Sequence, residues 1–67
     1  MLTYAVLWVG LGLALSKQAK YSLAASAYLA AYRLDPSNPA LLANVGQALV
    51  QAGDKQQARL NRAFTEP

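Results

Sequence analysis

Few residues of this chain could carry out chemistry. Its acids are Asp35, Asp54 and Glu66, and it has neither histidine nor cysteine. General acid–base catalysis needs a titratable group held near the reacting proton, and covalent catalysis needs an activated nucleophile. The hydroxyls of Ser16, Ser22, Ser26 and Ser37 have no base in the sequence to activate them. Asp35 and Asp54 stand beside helix-breaking residues, where capping accounts for them, and Glu66 is in the tail. Disulfides and the usual zinc sites are excluded by the same composition. The chain reads as a non-enzyme with no cofactor.

Two further patterns have a chemical reading and a plainer one. Gly10-Leu11-Gly12 has part of a dinucleotide-binding turn, but the third glycine is missing, no strand precedes it and no acid follows at the expected distance. Packing glycines inside a helix are the better account. Lys55, Arg59 and Arg62 fall at helical spacing and gather positive charge on one face. Such a face either docks an acidic partner or is simply solvated, and the second reading outweighs the first. No aromatic residue interleaves with it to stack on bases. A net charge of +3 is too modest to require nucleic acid.

Punctuation divides the chain into helices. Pro36 forces Asp35 out of helical geometry, Asn38 is placed to cap the next helix, and Pro39 suits its first turn. Gly53 offers a second stop and Asp54 a second cap, with Gln57 completing a weak capping box. A third, softer break lies between Ser16 and Lys20 without glycine or proline. Alanine- and leucine-rich stretches between the breaks favour helix throughout. The expectation is an all-α fold of four helices, about Leu2–Lys17, Tyr21–Leu34, Ala40–Ala52 and Lys55–Phe64.

The first of these, uncharged from Met1 to Ser16, admits three readings. A signal peptide would carry basic residues ahead of the apolar run, and none is present. A membrane span needs about twenty apolar residues, and the run stops at Lys17. A buried core helix fits best. With no cysteine, a reducing cytoplasmic setting is the expectation.

Set against itself at an offset of 34 residues, the chain repeats. Trp8 matches Leu42, Leu11 matches Val45, Gly12 matches Gly46, Leu15 matches Leu49 and Ala24 matches Ala58. With Tyr28, Ala31 and Pro36, this pattern resembles the tetratricopeptide repeat, a helical hairpin of that period. The resemblance implies two antiparallel hairpins, one over about residues 5–38 and an incomplete one over about 39–67. Glycines at Gly12 and Gly46 would let paired helices approach closely, with Ala24 and Ala58 facing them. Trp8, Leu11 and Leu15 would form a core stripe. The second copy departs from the pattern at Arg62, where an aromatic is expected, and at Thr65.

The resemblance also implies a peptide groove lined by the first helix of each hairpin. Carried over, the groove residues are Val6, Val9, Leu13 and Lys17 from the first copy and Ala40, Ala43, Asn44, Gln47 and Val50 from the second. Basic residues that would grip a C-terminal carboxylate are replaced by Val6, Val9, Ala40 and Ala43. The groove therefore suits an extended apolar peptide. The segment from Leu7 to Gly12, with Tyr21, Ala24 and Tyr28, is also similar to type III secretion translocator chaperones, although those are acidic and carry three repeats. The expected function is a protein-binding scaffold, with a protein or peptide client and no role for membrane or nucleic acid. A purely structural role, as end repeats of a longer solenoid or a self-assembling oligomer, is the alternative. A domain this small buries only about 60% of its unfolded surface. Two repeats with an all-apolar first helix therefore imply a homo-oligomer or part of a larger assembly.

Overall fold

The structure is a computed structural model that describes residues 2–65, with side-chain environments for residues 4–63. Glu66 and Pro67, to which the repeat's ragged end extends, lie outside the described residues. Helix α1 spans Leu2–Lys17, α2 spans Tyr21–Leu34 and α3 spans Pro39–Thr65. The all-α class of packed antiparallel helices is as expected. Helix α2 lies between the other two and packs against both, while α1 and α3 barely touch each other.

The connections show why the first two breaks hold. At the end of α1, Ala19 takes a left-handed φ of 60°. The Lys20 amide then donates to the Leu15 carbonyl at 2.9 Å, and the Ala19 amide to that of Ser16 at 3.0 Å. This pair of bonds closes a left-handed C-terminal cap, a position usually held by glycine. The soft break thus works by backbone geometry that no residue type advertised. At the second connection, the Ala40 amide donates to Asn38 Oδ1 at 3.1 Å, the expected cap, and Pro39 opens α3.

The expected break at Gly53-Asp54 does not occur. Helix α3 runs straight through it for 27 residues, and no glycine among the described residues has positive φ. Gly53 inside a helix costs about 1 kcal/mol. The position that Tyr28 occupies in the first copy falls to Arg62 in the second, and a charged side chain is costly to bury in a notch between apolar helices. Helix α3 continues instead of folding back. It leaves the second half of α3 exposed along its length, as residues 53–63 show. A hydrogen bond from Lys55 Nζ to the Ala19 carbonyl at 2.7 Å ties it to the body.

Packing in the first hairpin turns on Gly12. A Cβ built there would stand 2.7 Å from Tyr28 Cε1 and 2.8 Å from Cδ1, so the ring of buried Tyr28 occupies the notch. The expectation that Ala24 faces Gly12 is corrected to Tyr28, one helical turn further on. Gly46, its counterpart, has nothing within 4 Å because the helix that would have covered it continues away. Ala58, expected opposite Gly46, is exposed on that continuing arm. The hydrophobic cluster is Ala24, Ala25, Tyr28, Val45 and Ala48, with Val9, Leu15 and Leu29 packed against it.

The expected core stripe on α1 is also corrected. Leu15 is half-buried, but Trp8 and Leu11 are 40% and 46% exposed. The buried line of α1 instead runs through Ala5 and Gly12, flanked by half-buried Val9 and Ser16. Small residues win because α2 meets α1 with alanines, and close-approaching backbones leave no room for an indole between them.

The two glycines and Ala19 separate these effects in denaturation experiments at low micromolar concentration. Gly12→Ala should destabilise the fold by about 1–3 kcal/mol through overpacking against Tyr28. Gly46→Ala should stabilise it by up to about 1 kcal/mol, since the added methyl meets nothing and helix propensity improves. Equal effects at both sites would mean that the ring does not fill the first notch. Ala19→Gly should also stabilise, because a left-handed alanine costs about 1–2 kcal/mol that glycine avoids. A lower thermal midpoint for that variant would contradict the turn.

Candidate functional site

Helices α1 and the first half of α3 run in the same direction along α2, and a groove lies between them. One cleft of about 350 Å³ opens at their N-terminal ends, lined by Ala5, Val6 and Val9 from α1, by Ala40, Leu41 and Asn44 from α3, and by Asp35 and Asn38 from the connection before α3. A second, of about 230 Å³, continues the groove, with Leu13 and Ser16 on one wall, Asn44, Gln47 and Gln51 on the other and Tyr28 contributing from α2. Asn44 borders both clefts and joins them into one track. Its half-buried amide and the exposed Gln47 offer hydrogen bonds to a peptide backbone, while Val6 and Leu13 offer exposed apolar surface.

The candidate groove residues divide accordingly. Val6, Val9, Ala40 and Asn44 line the first cleft, and Leu13, Asn44 and Gln47 the second. Lys17, Ala43 and Val50 are exposed and line neither. Val9 has a double position, since it also packs against the hydrophobic cluster. A change there would disturb folding as well as the groove.

That Lys20 joins the cationic face of α3 has no signal in the residue pattern. Lys20 meets Lys55 and Arg59 around a cleft of about 330 Å³ at the N-terminal end of α2, lined also by Tyr21 and Ser22. Helix α2 has no side-chain cap and no acid in its first turn, so its positive end adds to the same field. This meeting depends on α3 running past the start of α2, which a break at Gly53 would have prevented. Lys55, Arg59 and Arg62 do share a face of α3, where they border a further cleft with Ala58.

Among the described residues, no group of His, Cys, Asp and Glu could hold a metal ion, and no helix is long and apolar enough to cross a membrane. No family model matches the chain, and comparison with curated proteins and with solved structures found no match.

The largest change from expectation at this surface is Trp8, and fluorescence can check it. In dilute solution acrylamide should quench Trp8 with an efficiency between that of a free indole and a buried one, as its 40% exposure requires. Quenching as weak as in a protein core would place the indole back inside.

Proposed function

We propose that the chain is a protein-binding scaffold whose groove between α1 and the first half of α3 takes an extended apolar peptide or a segment of a partner subunit. The observation that carries this reading is the continuity of the two clefts through Asn44, with apolar side chains at the first end, bordered by Asp35 and Asn38, and amide groups along the second. An extended peptide presents alternate side chains to such walls and its backbone to the amides. The tetratricopeptide resemblance supports the same surface, and a chaperone-like role for a secreted client in the cytoplasm is its most specific form. The absence of any constellation for general acid–base or nucleophilic work agrees with a binding role.

A structural role as end repeats of a longer solenoid has one observation in its favour. The outer face of α1 exposes Tyr4, Leu7, Trp8 and Leu11, a stripe that a preceding helix would cover.

Fluorescence anisotropy with short labelled peptides tests the groove. Apolar peptides should bind more tightly than polar or acidic ones of equal length. Val6→Asp and Leu13→Asp should each weaken that binding by at least about tenfold, or about 1.4 kcal/mol. Both residues are exposed, so helicity should be unchanged in circular dichroism. Peptide affinity indifferent to both changes would remove the groove as the binding surface.

A further inference from the structure

Helix α3 carries an exposed stripe that α1 leaves open and that α2 borders only where Gln56 lines the cleft at its start. Leu42, Gly46, Leu49, Gly53, Gln56 and Leu60 recur at alternating steps of four and three residues, which keeps them in one line along the helix. All are exposed, and Gly46 and Gly53 have nothing within 4 Å of an added Cβ. The stripe crosses the position of the absent break, so it exists only because the helix is continuous.

We propose that α3 pairs antiparallel with α3 of a second copy along this stripe. The pattern is complementary to its own reverse. With the twofold axis crossing the stripe at the level of Gln51 along the helix, Leu42 meets Leu60 of the other copy, Gly46 meets Gln56 and Leu49 meets Gly53. Each glycine then faces a larger side chain, and leucines close both ends. A twofold interface must match a surface to itself in this way.

Charge fixes the direction of pairing. From Pro39 to Ala52 the helix carries no charge, while Asp54, Lys55, Arg59 and Arg62 all fall in its second half. Parallel pairing would set the two cationic halves side by side. Antiparallel pairing sets each beside the other copy's neutral half and opposes the helix dipoles. Residues flanking the stripe, Ala43 and Val50 on one side and Val45 and Ala52 on the other, bring no like charges together. From Leu42 to Leu60 the seam is about 27 Å long at 1.5 Å per residue. A seam that short belongs with weak, concentration-dependent pairing. The stripe lies on a different side of α3 from the groove residues Asn44 and Gln47, so the inference stands independently of the proposed function.

Sedimentation equilibrium of the full chain from low micromolar to submillimolar concentration tests the pairing. The 7.2 kDa chain should move from monomer to dimer over that range. Leu49→Asp should leave it monomeric throughout with helicity unchanged, since Leu49 is exposed in the single chain. Leu7→Asp, on the outer face of α1, should leave the dimer intact. The chain has no cysteine, so direction can be read by disulfide trapping. Chains carrying Leu42→Cys mixed with chains carrying Leu60→Cys should cross-link to each other, and Leu42→Cys alone should not. A monomer at submillimolar concentration would overturn the proposal. So would a dimer that survives Leu49→Asp or is lost with Leu7→Asp, or cross-linking of Leu42→Cys chains to themselves.

Discussion

The ring of Tyr28 in the notch left by Gly12 is the contact on which the rest of this small protein depends. It sets how closely α1 approaches α2, and that spacing decides which residues of α1 are buried. At close approach Ala5 and Gly12 alone among the described side-chain positions of α1 fit fully inside, while Trp8 and Leu11 are turned outward. The same ring belongs to the cluster that receives Val45 and Ala48 of α3, so both helix pairs share it. Most of the buried residues are alanines, each contributing little apolar area. A core of that kind leaves small margins, and one misplaced methyl group at Gly12 is large on that scale.

The second copy of the repeat shows what happens when that contact cannot form. Arg62 replaces the tyrosine, and a guanidinium has no place against a glycine notch between apolar helices. The chain keeps α3 straight, accepts the cost of Gly53 in mid-helix and leaves Gly46 open. Where the first copy has a second helix that turns back, α3 continues as a single long helix. It also brings Lys55 to the Ala19 carbonyl, where it ties the arm to the strained turn between α1 and α2.

Much of this was legible from residue types. Helix composition, the cap at Asn38 and the bounds of α1 and α2 all follow from local signals that tertiary packing does not oppose. The break at Gly53 was misread because glycine permits a turn without requiring one, and whether it turns depends on what the returning helix would bury. The departure at Arg62 was visible, but its consequence needed the geometry of the first copy. Exposure of Trp8 was hidden for a related reason: spacing puts Trp8, Leu11 and Leu15 on one side of α1 but does not say which side α2 will meet. In the candidate groove, the pairing of Val6 and Val9 with Ala40 and Asn44 follows once α1 and α3 run in the same direction. The cleft of Lys20, Lys55 and Arg59 had no sequence signal, since its members come from a turn and from a helix expected to end before them.

Exposed apolar surface includes the outer face of α1, the groove, and the stripe of α3. These surfaces do not compete for the same residues. Val6 and Leu13 face the groove, Tyr4, Leu7, Trp8 and Leu11 face outward from α1, and Leu42, Leu49 and Leu60 belong to α3. Pairing along α3 would therefore leave the groove open in each copy, and the twofold axis would carry two grooves at once. Two equivalent grooves on one rigid seam raise the effective concentration seen by a client with repeated apolar segments. A single copy gains nothing of that kind. The straight helix that spoils the second hairpin is thus also what makes a bivalent arrangement geometrically available, because a folded-back arm would have hidden the stripe on which it rests.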